Sequence, residues 1–317
     1  MAWLLAPLAL LIERVLGYPP PLFKAIGHPV TWMGALIGWL EARLNQGDNR
    51  RLKGVAMLLL LLGTGLAISL LIIAVTRRVP LGWVIEALLA STLLAQKELG
   101  RAVKAVADGL GVSLDSGRTA VSRIVGRDPQ VLDESGVAKA AIESLAESTS
   151  DGVVAPLFWL LLGGLTGIVL YKAVNTADSM VGHRTERYAE FGWASARFDD
   201  LVNWIPARLT ALLIAGASFL TRRSDPEAAW GTALRDARKH ASPNAGWPES
   251  AFAGSLGIAL GGPRAYDGEL HELPSFGEGR AQLTASDILS SLVLYWAAMN
   301  LLLGLAIVIG LVLWRFA

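Results

Sequence analysis

Three apolar runs constrain this chain more than any other feature. Gly54–Val75, Gly152–Tyr171 and Ile288–Trp314 hold 22, 20 and 27 residues without one charged side chain. A helix needs about 20 such residues to cross the hydrocarbon layer of a bilayer. Composition agrees, since only 17% of the 317 residues are charged, against about 25% in soluble domains. The chain reads as an integral membrane protein.

Other classes fall away. A formal charge of +1 leaves no basic patch of the size that nucleic-acid binding requires. With no cysteine in the chain there is no disulfide framework, thiolate nucleophile or Cys-ligated metal. No Gly-x-x-x-x-Gly-Lys-[Ser/Thr], Gly-x-Gly-x-x-Gly or His-Glu-x-x-His pattern occurs. Met1–Ile12 is apolar, has no Lys or Arg ahead of it and leads into Glu13-Arg14 without a small-residue cleavage site. It is expected to remain as a first helix.

Membrane segments are predicted at about 1–17, 54–76, 80–95, 152–174, 206–221 and 287–314, with polar stretches at 96–151, 175–205 and 222–286. Nearly half the chain thus lies outside the apolar runs, which favours chemistry at a membrane surface over transport. No internal repeat supports a transporter's two-fold pseudo-symmetry. The polar stretches read as helical. Asp133-Glu134-Ser135 offers caps ahead of Val137, Ala140, Ala141 and Leu145 at helical spacing, and Asp115-Ser116 opens a short helix that Gly126 closes. No strand pattern of convincing length appears. The expected fold is all-α, a single membrane-embedded domain over 1–317.

One run has two readings. Gly152–Val174 contains Pro156 and Gly163-Gly164, so it is either a single span or a re-entrant hairpin of two arms of about ten residues each. Only a hairpin brings the polar groups at its two ends to one side.

Four constellations could carry chemistry. Glu143, Glu147 and Asp151 are spaced i, i+4, i+8, which places three carboxylates on one broad helical face at the lip of a membrane segment. A solvated face is the ordinary alternative; carboxylates at such a lip call for Mg²⁺ or an arginine. Next, Asn175, Thr176, Asp178 and Ser179 crowd the exit of the same segment, as hard oxygen ligands or as helix caps. Arg184 and Arg187 follow, as guanidinium forks for phosphate or as surface partners of Glu186 or Glu190. Third, Asp199, Asp200 and Asn203 lie one helical turn apart, with Arg208 inside an apolar stretch, there either to meet an anion or to snorkel to the interface. Fourth, Arg238-Lys239-His240 leads into Ser242-Pro243-Asn244-Ala245-Gly246, a turn able to present backbone amides to an anion. His28 and His183 read as structural or capping residues.

Several blocks in order resemble the CobD/CbiB family of cobalamin biosynthesis. They are Glu143-Ser144-Leu145-Ala146-Glu147-Ser148 through Asp151-Gly152-Val153-Val154-Ala155-Pro156-Leu157-Phe158, Tyr171-Lys172-Ala173-Val174-Asn175-Thr176-Ala177-Asp178-Ser179-Met180, Phe191-Gly192-Trp193, Ala196-Arg197-Phe198-Asp199-Asp200, Pro206-Ala207-Arg208-Leu209 and Ser242-Pro243-Asn244-Ala245-Gly246. Near the start, where the family shows Asp and then Gly-Asp-Pro, the chain has Glu13 and Gly17-Tyr18-Pro19.

The resemblance implies a multi-pass protein of the cytoplasmic (inner) membrane, active site on the cytoplasmic side, that acts as an adenosylcobinamide-phosphate synthase. Such a ligase joins the propionate of a corrinoid, adenosylcobyric acid, to an amino-alcohol phosphate, with ATP as co-substrate and Mg²⁺ as cofactor. It also implies the lipid bilayer as partner, no nucleic acid, and a second copy or other cobalamin-pathway membrane proteins as companions. On this reading Glu147, Asp151, Asp178 and Asp199 hold Mg²⁺–ATP, supported by Asp200 and Asn203. Arg184, Arg187, Arg208 and Arg238, with Asn175 and Asn244, bind phosphate, and Glu143 is a candidate base. Trp193, Trp204 and Trp247 line a corrinoid groove or anchor the interface. Two rivals remain: a Mg²⁺-dependent intramembrane prenyltransferase, which Asn175-x-x-Asp178 and Asp199-Asp200-x-x-Asn203 loosely mimic, and a non-catalytic membrane sensor or scaffold. Dependence on an isoprenoid diphosphate would mark the first, loss of the acidic and arginine blocks the second.

Overall fold

The computed structural model describes residues 4–126, 129–222, 224–262, 264–266, 269–271 and 274–315. In chain order its helices are α1 Leu5–Leu16, α2 Pro20–Ile26, α3 Pro29–Leu44, α4 Arg50–Thr76, α5 Gly82–Ser91, α6 Gln96–Leu110, α7 Leu114–Val121, α8 Glu134–Thr149, α9 Ala155–Val181, α10 Trp193–Val202, α11 Trp204–Ser218, α12 Pro226–Asp236, α13 Gly246–Leu256 and α14 Ala285–Arg315. A π turn, Ser150–Val154, stands between α8 and α9. Two short antiparallel pairings, β1 Leu260–Gly261 with β4 Ser275–Phe276 and β2 Arg264–Tyr266 with β3 Glu269–His271, are too small to form a layer. The fold is all-α, as the sequence predicts.

Local chemistry starts these helices. His28 Nδ1 accepts from Val30 N while Thr31 Oγ1 accepts from His28 N, a reciprocal cap on α3 with Pro29 at the first helical position. Asp133 caps α8 through Gly136 N, and Asp225 caps α12 through Ala228 N. The short helix expected from Asp115 to Gly126 is shifted. It begins at Leu114, because Ser113 Oγ takes the Ser116 amide, and its α-helical part ends at Val121.

Three described helical runs are long and apolar enough to cross a membrane: α4, the run 134–181 and α14; α10 with α11 makes a fourth if that pair counts as one broken span. In the apolar windows of α4 and α14 only 17% and 22% of residues are buried. Helices apolar on every face and so little covered have the bilayer as their solvent. By contrast α1, α5 and α11, with 12, 10 and 15 residues, span roughly 18, 15 and 22 Å. Each is shorter than the ~30 Å hydrocarbon layer, so the segments expected at 1–17, 80–95 and 206–221 do not each form a straight span.

The chain divides into two compact units, each discontinuous in sequence. The first takes the described residues of 1–95, 155–203 and 305–317, the second those of 96–154 and 204–304. In the first unit Ile37, Leu40, Met57, Leu61, Ala177 and Phe191 form one buried cluster from α3, α4, α9 and the residue before Gly192. Leu58, Ala155, Tyr171, Val174, Ala194 and Val202 form another.

Within this first unit α9 bears on the question left by Gly163-Gly164. Gly164 has φ 58° and ψ −149°, a combination open essentially to glycine alone, and the helix breaks there. A methyl group added at Gly167 would overlap the carbonyl oxygen of Trp159. Residues eight apart in a straight helix lie about 12 Å from each other. Ala155 and Tyr171, sixteen apart, share one buried cluster. The chain therefore doubles back on itself: α9 is a helical hairpin whose first arm, Ala155–Gly163, is roughly 13 Å long, shorter than the hydrocarbon layer, which favours the re-entrant reading over a single straight span.

In the second unit α12, α13 and α11 pack together, and α6 packs on α7 and α8. Tyr295, fully buried, donates from its hydroxyl to Gln96 O at 2.7 Å and ties α14 to the start of α6. Asp236, 1% exposed as a side chain, accepts from Arg235 at 2.8 Å, Lys239 at 2.7 Å and Gly277 N at 2.9 Å, holding the segment before α14 to the end of α12. Those donors, Arg235 foremost, hold its carboxyl well below the usual carboxylate range against the opposing effect of burial.

Candidate functional site

The first unit gathers the second and third constellations around Asp199. Asn175 lies on the return arm of α9 and Asp199 on α10, and the packing of these helices turns their polar faces together. Asp199 is 8% exposed. Its Oδ1 accepts from Asn175 Nδ2 at 3.4 Å and its Oδ2 from Asn203 Nδ2 at 2.9 Å. Asn203 Oδ1 in turn accepts from the buried Tyr171 hydroxyl at 2.9 Å, and Asn175 Oδ1 from Lys172 Nζ at 3.2 Å. Five side chains thus make one continuous network with a carboxylate at its hub.

Two further acids flank the hub. Asp178 lies close enough to act electrostatically on Asp199, and Asp200 acts on both. Arg197 pairs with Asp200 at 3.8 Å, and the charge of Arg184 reaches Asp200 as well. Of the four polar residues crowding 175–179, Thr176 and Ser179 bond their own helix, at Lys172 O and Asn175 O. Asn175 and Asp178 are the pair that turns toward α10.

Arg187 does something that sequence did not indicate. Its guanidinium grips the carboxylate of Glu41 at 3.1 and 2.9 Å, rather than that of Glu186 or Glu190. Asn45 and Arg50 both donate to the Arg187 carbonyl, so the segment after α9 is latched to the end of α3. The arginine's hydrogen bonds hold Glu41 below the usual carboxylate range. Trp193 is covered by the guanidinium of Arg51, 3.7 Å from the ring centroid.

The second unit carries the rest. Arg208 donates to Trp204 O at 2.7 Å, Asn244 Oδ1 at 3.0 Å and Pro243 O at 3.4 Å, with Trp204 and Trp247 rings 4.4 and 4.8 Å from its carbon. It pins the 243–244 turn to α11, and Arg238 is close enough for the two cations to repel. The turn itself departs from the expected anion cradle. Ser242 Oγ accepts the amides of Asn244 and Ala245, and His240 Nδ1 accepts that of Ser242, so those donors close the turn internally.

The acidic row is not uniform either. Glu143 is buried and accepts from Gly261 N at 2.8 Å, which anchors β1 to α8. Glu147 is exposed and Asp151 half-buried. The α-helix ends at Thr149, and Asp151 lies in the π turn that follows from Ser150.

Asp178, Asp199 and Asp200, with the amides beside them, have the hard-oxygen chemistry of a Mg²⁺ site. Among the described residues no three Asp, Glu or His side chains come together as a metal-binding group. Tyr171 and Glu41 were missed from sequence. The first carries a signal, since it precedes Asn175 by one helical turn; the second, 146 residues from Arg187, carries none.

Comparison with known proteins completes the description. A family model described as CobD/Cbib protein matches residues 6–295. A cobalamin biosynthesis protein CobD of Rhodobacter capsulatus is 51% identical over 306 residues, covering 95% of this chain and 94% of that one. Proteins of the same description from Brucella anthropi and a Sinorhizobium species are 47% and 46% identical, covering 96% and 98% of both chains. No solved structure matches.

Proposed function

The chain belongs to the CobD/CbiB family, and from that premise we propose that it is the adenosylcobinamide-phosphate synthase of cobalamin biosynthesis. The reaction joins the propionate of adenosylcobyric acid to the amine of an amino-alcohol phosphate, with ATP as co-substrate, at the cytoplasmic side of the cell membrane. The observation that supports this reading is the Asp199 network beside Asp178, Asp200 and Arg184, built largely from blocks that resemble those of the family.

A carboxylate is a poor acyl donor. In the proposed sequence a propionate oxygen attacks the γ-phosphorus of ATP and ADP leaves, giving an acyl phosphate. The amine nitrogen then attacks the acyl carbon, phosphate leaves with the C–O bond electrons, and the nitrogen gives up its proton to a carboxylate. Positioning and charge stabilisation supply most of the acceleration in phosphoryl transfer. Asp178 and Asp199 would hold Mg²⁺, which when bound would supply charge neutralisation at the phosphoryl oxygens; Glu147 and Asp151, in the second unit, are separate candidates for the same role. Asn175 and Asn203 orient Asp199 through its two oxygens. Arg184 supplies a guanidinium for phosphate, and Arg208 and Arg238 a second cationic locus. Asp200, beside Arg184, and the buried Glu143 are the candidate proton acceptors.

The test is direct. Purified protein in detergent, given adenosylcobyric acid, aminopropanol phosphate or threonine phosphate, ATP and Mg²⁺, is expected to yield the amide product by mass spectrometry. Absence of product with either amine, in protein shown to be folded, overturns the reading.

A further inference from the structure

The first unit also contains an apolar groove that the proposed chemistry does not use. It lies between α3, α4, α5 and the return arm of α9, with Trp32, Leu61, Ile72, Leu93, Leu165 and Val169 marking its course. The polar side-chain groups in its lining are already satisfied: Thr64 Oγ1 donates to Leu60 O, Thr92 Oγ1 to Leu89 O and Trp32 Nε1 to Ile26 O. A water molecule needs two to four polar partners to occupy a buried site, and this largely apolar lining offers it only the acceptor lone pairs of two threonine hydroxyls. The groove follows α4 from Leu61 to Ile72, roughly 17 Å at the helical rise, and its cavity measures about 210 Å³.

We infer that this groove holds one acyl chain of a bilayer phospholipid. The neighbouring flank of α4 exposes Leu60 and Leu71 by 54% and 66%, so the groove is continuous with the surface that the hydrocarbon layer covers. Left empty, its walls would forgo the dispersion contacts of close packing. A groove of this volume and length is matched by one slender polymethylene chain and takes at most the side chains, not the body, of a helix about 10–12 Å across. Lipid tails are as apolar as leucine, so retention comes from filling this shape and not from hydrophobicity. The inference does not depend on the amide-forming reading.

Native mass spectrometry of detergent-extracted protein tests it. Under stepwise activation the wild-type chain is expected to keep one phospholipid after all others are stripped. Thr64→Trp and Ile68→Trp, which block the groove from exposed positions, are expected to reduce that retained fraction tenfold. Leu60→Trp, on the outward face, is expected to leave it unchanged. Equal retention across the three variants overturns the inference, as does a second copy of the chain, rather than a lipid, displaced by the groove variants. A second measurement stands if both groove variants fail to fold. In bilayers with brominated acyl chains, wild-type protein is expected to show quenching that Trp32→Phe lacks, and identical quenching overturns the inference.

Discussion

Asp199 illustrates how much one residue depends on its neighbours. Both carboxylate oxygens accept an amide donor, and each amide is oriented by a further group, Tyr171 or Lys172. The helical spacing made Asn175, Asp178, Asp199 and Asn203 legible in sequence, because residues three and four apart share a face. That α9 would present its pair to α10 required the fold. Asp178→Asn is expected to weaken both turnover and Mg²⁺ dependence, read from initial rates across a Mg²⁺ titration; unchanged values for both would remove Asp178 from the metal assignment. Asn203→Ala acts through Asp199 and is expected to lower apparent Mg²⁺ affinity roughly 10–100-fold in the same titration. Tyr171→Phe leaves a buried acceptor on Asn203 without its donor, at about 1–3 kcal/mol, and thermal unfolding in detergent measures the loss. The Arg187–Glu41 pair shows the opposite case. Its partners are far apart in sequence, and nearer acids offered equally good local partners, so the choice was made by tertiary packing.

At the scale of elements, apolar length marks a candidate span and does not by itself fix how the segment is used. The runs at 54–76 and 287–314 became long lipid-facing helices, whereas 80–95 and 206–221 gave helices too short to cross alone. Composition reports the solvent of a segment; crossing depends also on where turns interrupt it. Gly163-Gly164 was the legible sign of the reversal in α9, and φ at Gly164 is its physical cause. Gly164→Ala is expected to cost about 1–3 kcal/mol, measured as a drop in Tm. Gly163→Ala is the control, because a methyl group there meets no atom within 4 Å. The π turn that holds Asp151 was not legible, since one extra residue in a helical turn leaves no mark on the spacing of carboxylates.

For the molecule as a whole, stability in acid should be governed by buried carboxylates held ionised by their donors. Asp236 is depressed below its ordinary value of about 3.9, chiefly by Arg235. Its contribution is therefore fully present above that ordinary value and is lost as pH falls below it toward the folded pKa. Thermal unfolding at pH 7 and at pH 3 is expected to show a fall in Tm for the wild-type chain. Asp236→Asn should start lower at pH 7 and change less between the two; a parallel fall in both would exclude Asp236 as a source of the acid response. Family membership was legible because ordered blocks between Glu143 and Gly246 constrain one another, and the match over residues 6–295 extends the likeness to most of the chain. The division into two discontinuous units was not, because chain that returns to an earlier unit leaves no change of composition at the crossing points near 155 and 204.

The hairpin in α9 also changes an arithmetic of sides. A segment that enters one leaflet and leaves by the same leaflet adds nothing to the parity of crossings, and a hairpin used in that way would leave Ala155 and Val181 facing the same compartment. A topology map drawn by counting apolar runs would score 155–181 as one passage and thereby invert the compartment assigned to every later loop. Paired reporter fusions near 182 and 222 would inherit that inversion, and their signs have to be interpreted from an even count.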